Sequence, residues 1–213
     1  MDSVRITEIF CSIQGESTTV GEPTVFVRLT GCPLRCHYCD TAYAFSGGEK
    51  IQIEDVVERV GSFGVHYVTV TGGEPLAQAS CQPLMSHLCD AGHSVSLETS
   101  GAISVAEVDQ RVRIIMDVKT PGSGEEAKNL SSNLAHLKPI DELKFVICDR
   151  QDYEFAIRMV EESALSDRHQ VLFSPSHGQI HPRELADWII ADKTPVRLQL
   201  QMHKFLWGNE PGR

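Results

Sequence analysis

Three cysteines stand in the run Cys32-Pro33-Leu34-Arg35-Cys36-His37-Tyr38-Cys39, a Cys-x3-Cys-x2-Cys spacing within eight residues. Thiolates so close can converge from one loop on one metal centre, and soft thiolate ligands suit both zinc and iron–sulfur clusters. A structural zinc needs a fourth protein ligand. His37 is the local candidate, but its place between two ligands makes the geometry awkward. Three cysteines on a four-iron cluster would instead leave one iron open to a small molecule. Spacing alone leaves both readings open, beside the bland one of three unligated cysteines. The seven cysteines are an odd number, and residues 1–10 carry Asp2, Arg5 and Glu8, so no secretory leader is expected. The cluster therefore reads as metal binding or catalysis rather than disulfides. Cys11, Cys81, Cys89 and Cys148 are expected to be small buried hydrophobes.

Other residues could join that chemistry. Thr71-Gly72-Gly73-Glu74-Pro75 is a turn whose glycines let backbone groups approach a ligand closely. Gln14-Gly15-Glu16 forms a polar turn, and Arg28 interrupts an apolar run of Val25, Phe26, Val27 and Leu29. Burying a guanidinium without an anion is costly, so Arg28 is expected to face a cavity or a partner and to meet a carboxylate ligand. Glu98 and His203 end or follow strand-like segments and are weaker candidates for the same site.

These residues need elements to position them. Short apolar runs at 4–9, 24–30, 67–71, 94–98, 114–118, 143–147, 171–173 and 196–202 read as strands. Helical patterns at 53–60, 83–89, 125–137, 153–162 and 182–191 lie between them. Alternation of this kind predicts right-handed βαβ units and a mostly parallel sheet. At 213 residues the chain is short for a full eight-unit barrel. The fold class expected is α/β, either a doubly wound sheet or a partial, incomplete TIM-like barrel, with ligands at the carboxyl ends of the strands in both. Five strands run into polar or glycine-rich loops, which is where that rule puts a site. No repeat or linker divides residues 1–213, so one domain with a cluster loop at 31–41 is expected. With 19 Lys+Arg against 29 Asp+Glu the net charge is −10, which argues against a nucleic-acid partner. No run approaches the roughly 20 apolar residues of a membrane span. No membrane association and a cytoplasmic location are expected.

Tyr38 before Cys39 completes a Cys-x3-Cys-x-aromatic-Cys run that resembles the signature of the radical S-adenosylmethionine superfamily. Gln14-Gly15-Glu16, Gly31-Cys32, Cys39-Asp40-Thr41 and Thr71-Gly72-Gly73-Glu74-Pro75 together resemble one family within it, the 7-carboxy-7-deazaguanine synthases of queuosine-precursor (7-deazapurine) biosynthesis. These motifs lie mainly in residues 6–76, with weaker echoes at Asp117-Val118-Lys119, Ser174-Pro175-Ser176-His177 and Gln201-Met202-His203-Lys204. The resemblance implies a radical carbon–nitrogen lyase. Cys32, Cys36 and Cys39 would hold a 4Fe–4S cluster with one open iron. Tyr38, Cys39, Asp40, Gly73, Asp117, Val118, Lys119, Ser174, Pro175, Ser176 and His177 would bind S-adenosylmethionine. Ile13, Gln14, Gly15, Arg28 and Thr71 would bind the substrate, 6-carboxy-5,6,7,8-tetrahydropterin, and Thr41 would ligate Mg2+. A reductant such as flavodoxin or ferredoxin and a homodimer are implied as well. Ser17 stands where many relatives carry glycine, and Asp117-Val118-Lys119 where many carry Ser-Pro-Lys. Two other readings are an activase of a glycyl-radical enzyme, which would act on protein, and a non-catalytic zinc-binding module.

Overall fold

The structure is a computed structural model that describes residues 2–208, 210 and 212. Its strands are β1 (Ser3–Ile13), β2 (Pro23–Leu29), β3 (Glu49–Gln52), β4 (Tyr67–Gly72), β5 (Ser94–Thr99), β6 (Arg113–Val118), β7 (Glu142–Ile147), β8 (Gln170–Pro175) and β9 (Arg197–Leu198). They form one nine-stranded sheet in the order β3-β1-β2-β4-β5-β6-β7-β8-β9, with β3 and β9 at its edges. All pairs from β2·β4 to β8·β9 are parallel, whereas β1 pairs antiparallel with both β2 and β3. The sheet is thus the expected open α/β barrel, with a short antiparallel flap at its amino-terminal edge.

The helices are α1 (Ile53–Gly61), α2 (Cys81–Asp90), α3 (Arg150–Glu162), α4 (Pro182–Asp192) and α5 (Met202–Trp207). Asp149 caps α3 by accepting from the Asp152 N–H at 2.9 Å, and Pro182 starts α4, where a missing N–H costs nothing. The parallel strands alternate in character. Val25, Val27 and Leu29, Val68 and Val70, Val95 and Leu97, Ile114 and Met116, and Leu143 and Phe145 join the buried core with the helices. The intervening side chains, among them Arg28, Thr71, Glu98, Asp117 and Lys144, turn the other way and line a cavity.

Three expectations change. Residues 125–137 are not an α-helix but short 3-10 turns at Glu126–Lys128 and Ser131–Ala135. Ala127, Leu130, Leu134 and Leu137 have helical spacing, but two asparagines use their side chains in place of backbone. The Asn133 amide donates to the carbonyls of Gly101 and Ile103 and accepts from the Val105 N–H. Asn129 makes a reciprocal pair with the backbone of Lys119. Side chains that bond to backbone in this way compete with helix formation. The strand expected over 196–202 pairs only at Arg197–Leu198; the chain then leaves the sheet, and the Met202 N–H donates to the Gly15 carbonyl at 3.0 Å. β3, charged and short, carried no strand signal at all. Cys81 is buried as expected, Cys89 and Cys148 are half-buried, and Cys11 is exposed, because it falls on the outward face of the antiparallel flap.

Candidate active site

A cavity of about 740 Å³ opens at the carboxyl ends of the parallel strands. The loop after β2 forms one wall and the turn between β1 and β2 another. The three cysteines sit in the first. That loop is held from both sides: the Gly31 N–H donates to Ala44, the His37 N–H to Ser123, and the Arg35 N–H to the Glu125 carboxylate. Arg35 stacks its guanidinium 4.2 Å from the centre of the Phe45 ring, and Leu34 is buried beneath. Cys32, Cys36 and Cys39 carry free, partly exposed thiols that all line the cavity. Burial pushes the Cys32 and Cys36 thiols above the usual range, and Cys39 adds to both. Such thiols become good ligands when a metal centre replaces their protons. Among the described residues no three His, Cys, Asp or Glu side chains stand close enough to share one metal ion. The His37 ring lies against Gly124, where an added Cβ would come within 2.7 Å of it.

The Gly72-Gly73-Glu74-Pro75 turn follows β4. A Cβ at Gly73 would fall 2.7 Å from Cys32 Cβ, so this turn and the cysteine loop touch at backbone distance. Glu74 is fully buried and holds the turn from below. Its carboxylate accepts from the Leu76 N–H at 3.0 Å, the Ser100 N–H at 2.7 Å, the Thr99 hydroxyl at 2.9 Å and the Ser100 hydroxyl. The loops after β4 and β5 are thereby fixed to one another. Gln78 adds a second clamp, exchanging hydrogen bonds with the Arg5 backbone and donating to the Thr30 carbonyl.

Polar side chains cover the rest of the cavity. Gln14 donates to Thr69 at 3.2 Å and accepts from the Glu16 N–H, and Thr71 donates to Glu98 at 2.9 Å. Arg28 faces the cavity as expected of an arginine in an apolar strand, and its anion is Glu8 at 2.6 Å, which also accepts from Tyr43. Lys144 bonds Glu16 at 2.6 Å and lies 3.8 Å from Asp117, which itself pairs with Lys119 at 3.2 Å. The Lys119 ammonium lies 5.7 Å from the centre of the Tyr38 ring. Burial opposes charge on both lysines, yet the surrounding carboxylates, Glu16 first for Lys144 and Asp117 first for Lys119, raise both above the ordinary lysine range. Burial alone would raise Glu16, but Lys144 and Gln201 bring it below its ordinary value. Glu98 is raised, chiefly by burial. Two buried oxygens on the lining, Tyr38 Oη and Asp117 Oδ1, have no hydrogen-bond partner, and unpaired polar atoms in such a place suit a polar ligand.

The carboxyl-terminal segment closes one side. His203 packs so tightly on Gly15 that a Cβ there would strike the imidazole and come 2.9 Å from the His203 backbone nitrogen. Burial lowers the His203 pKa although Glu16 and Asp40 oppose the shift. Lys204 pairs with Asp40 at 2.9 Å. Gly208, Glu210 and Gly212 also reach the cavity, while Asn209, Pro211 and Arg213 of the tail lie outside the described residues.

The residues singled out from sequence meet here with one exception. Ile13, Gln14, Gly15, Arg28, Tyr38, Asp40, Thr41, Thr71, Gly73, Asp117, Lys119 and Ser174 to His177 line the cavity beside the cysteines. Val118 points into the core and can offer a ligand only its backbone. Ser17 is buried with φ of 66°, the left-handed conformation glycine adopts freely; its hydroxyl bonds Thr19. Lys144 has no place among the residues singled out from sequence, and Lys204 enters only through the weak echo at Gln201-Met202-His203-Lys204. Lys144 carried a usable signal, the one that marked Arg28: a lone cation in an apolar strand, here Leu143, Phe145, Val146 and Ile147.

Comparison with known proteins agrees with this arrangement. The model of the radical SAM superfamily matches residues 26–164. A 7-carboxy-7-deazaguanine synthase of Koribacter versatilis is 43% identical over 97% of this chain and 98% of its own length. One from Chlorobaculum tepidum is 44% identical over 96% and 94%. The crystal structure of QueE from Escherichia coli superposes with a TM-score of 0.78 at 25% identity, covering 94% of this chain and 95% of that one. Streptococcus suis SuiB bound to its precursor peptide shares only the fold, with a TM-score of 0.59 at 12% identity. A three-cysteine loop beside a glycine turn on an open parallel barrel, and full-length identity above 40%, make the chain a member of the 7-carboxy-7-deazaguanine synthase family of the radical S-adenosylmethionine superfamily.

Proposed function

We propose that this chain converts 6-carboxy-5,6,7,8-tetrahydropterin to 7-carboxy-7-deazaguanine with loss of ammonia. The observation that carries this reading is the sharing of one cavity by the three cysteines and by Gln14, Arg28 and Thr71. Superfamily membership brings a 4Fe–4S cluster and S-adenosylmethionine, and the soft thiol set and the unpaired Tyr38 and Asp117 oxygens fit them. When bound, that pair would supply a 5′-deoxyadenosyl radical for hydrogen-atom abstraction from the pterin.

The chain's own residues position and enclose. Cys32, Cys36 and Cys39 are the cluster ligands. Tyr38, Cys39, Asp40, Gly73, Asp117, Val118 (by its backbone), Lys119 and Ser174 to His177 surround S-adenosylmethionine. Gln14 retains one free N–H and one lone pair for the pterin edge after its bonds to Thr69 and Glu16. Ile13 and Gly15 add backbone groups, and Thr71 a hydroxyl. Arg28, already oriented by Glu8, offers its remaining N–H groups to the pterin carboxylate. Phe10 and Phe26, stacked 5.1 Å apart on the cavity wall, help exclude water. Thr41, which lines the cavity, would ligate Mg2+, a hard cation that suits an oxygen donor. Residues 1–213 serve this site as one radical S-adenosylmethionine domain with its cluster loop at 31–41. The reaction runs in the cytoplasm of a reducing cell, in a homodimer, with flavodoxin or ferredoxin as electron donor.

The test is anaerobic reconstitution with iron and sulfide. Dithionite, S-adenosylmethionine, Mg2+ and the carboxytetrahydropterin are then added, with products followed by mass spectrometry. 7-Carboxy-7-deazaguanine should appear, and Cys36→Ala should abolish it. A brown protein that cleaves S-adenosylmethionine but leaves the pterin intact would overturn the substrate assignment.

A further inference from the structure

Lys144 sits where two loops meet. It rises from β7 directly beside Asp117 of β6, its register partner in the parallel pair. Its ammonium is shared unequally, 2.6 Å from Glu16 and 3.8 Å from Asp117. Glu16 belongs to the Gln14-Gly15-Glu16 turn, on the pterin side of the cavity. Asp117 belongs to the other side, where it holds Lys119 against the Tyr38 face beside the cluster loop. All four charged groups are largely shielded from water, each side chain being less than a fifth exposed. Buried charges in such a chain cannot change partners independently. If one carboxylate turns to a ligand, the cation it leaves is driven to the next.

We propose that Lys144 is a positioning residue that couples the pterin side of the cavity to the S-adenosylmethionine side by moving between Glu16 and Asp117. The inference rests on the functional reading above. A reduced pterin presents an edge of N–H donors, for which the Glu16 carboxylate is the natural acceptor on the turn that meets it. Engaging Glu16 frees Lys144 to close on Asp117, which loosens the hold of Asp117 on Lys119 and leaves the Lys119 ammonium available to an anionic group beside the cluster. The carboxylate of S-adenosylmethionine is such a group. By thermodynamic reciprocity each ligand then tightens the other. The charged and titratable groups that face Lys144 are Glu16 from the β1–β2 turn, Asp117 and Lys119 from β6 and its loop, Glu98 from β5, Asp40 from the cluster loop and His203 from α5. No proton transfer is required, because a lysine among those carboxylates keeps its charge.

The measurement is calorimetric and needs no turnover. S-adenosylmethionine is titrated into the reconstituted holoenzyme without reductant, with and without saturating carboxytetrahydropterin. In the wild-type protein the pterin should tighten S-adenosylmethionine binding about five-fold or more. Lys144→Met should bring that factor close to one, Glu16→Gln should do the same with the lysine in place, and Lys144→Arg should retain part of it. Iron content and thermal unfolding check each variant; if Lys144→Met does not take up the cluster, the Glu16→Gln and Lys144→Arg proteins decide. Equal coupling in wild type, Lys144→Met and Glu16→Gln, or pterin binding in wild type with no coupling, overturns the role of Lys144 alone. Wild-type holoenzyme that binds S-adenosylmethionine but no pterin overturns the role and the functional reading together.

Discussion

Glu74→Gln should separate the structural work of the glycine turn from its ligand contacts. The carboxylate is buried, and its two oxygens are used differently. Oε1 takes the Leu76 N–H and the Thr99 hydroxyl, while Oε2 takes the Thr99 hydroxyl, the Ser100 N–H and the Ser100 hydroxyl. A glutamine keeps an acceptor at the first position and puts an NH2 group at the second. Ser100 can rotate its hydroxyl to accept, but its backbone N–H cannot, and it is left buried without a partner. That orphan costs about 1–3 kcal/mol, and the lost charge assistance to the other donors about 1 kcal/mol more. The total of about 2–4 kcal/mol corresponds to a fall in Tm of about 4–16 °C for a chain of this size. Thr99→Val removes one donor to the carboxylate and the weak 3.3 Å acceptor of the Gly101 N–H, while the carboxylate stays otherwise satisfied, so it should cost about 1–2 kcal/mol. Differential scanning fluorimetry of the cluster-free proteins under anaerobic conditions compares the two. S-adenosylmethionine affinity of the reconstituted Glu74→Gln protein should fall as well, since Gly73 and the loop after β5 are no longer fixed together. A Glu74→Gln protein no less stable than Thr99→Val would show that these hydrogen bonds do not anchor the turn.

Glu16 has a folded-state pKa below its ordinary value, so it stabilises the fold at neutral pH and that contribution disappears as pH falls through the folded value. Glu16→Gln should therefore lower stability to urea at neutral pH but hardly at all in strongly acidic solution; an equal loss at both would refute the ion-pair account. Gly15→Ala should push His203 and α5 off the cavity wall, visible as faster amide exchange over 202–208 and a drop in kcat/KM with little change in cluster content. Unchanged exchange would mean that α5 tolerates the methyl group. Thr41→Ala should raise the Mg2+ concentration needed for half-maximal activity about ten-fold or more, and Thr41→Ser should restore most of it. A Thr41→Ala protein with wild-type Mg2+ dependence would remove Thr41 from the metal site.

Much of the site was legible because its signals are local. The spacing of Cys32, Cys36 and Cys39, the Gly72-Gly73 pair and the misfit of Arg28 in an apolar strand each follow from a few adjacent residues. The mostly parallel α/β sheet followed from periodicity, since helices and strands bury faces of different period. What stayed hidden depends on contacts between distant segments. Asn129 and Asn133 break a helical pattern only because the Lys119 backbone and the Gly101 and Ile103 carbonyls lie within reach. The run 196–202 alternates like a strand, but the tertiary pull of Gly15 on Met202 takes it off the sheet edge after two paired residues. β3 pairs through its backbone with residues Ser3 to Ile6, and its charged side chains carry no trace of that. Lys144 carries in its apolar strand the same local signal as Arg28.

The division of each parallel strand into a helix-facing and a cavity-facing set bears on how such a protein can change its chemistry. Replacing Val70 or Leu97 disturbs packing that every neighbouring element shares. Replacing Thr71 or Glu98, one residue along, alters the lining while leaving those contacts in place. Adaptation to a new substrate can therefore proceed by single substitutions at alternate positions without the scaffold drifting. A library confined to the inward residues of β2 and β4 to β8 would sample new specificities at little risk to folding. The barrel is in this sense a stable frame with an interchangeable inner surface.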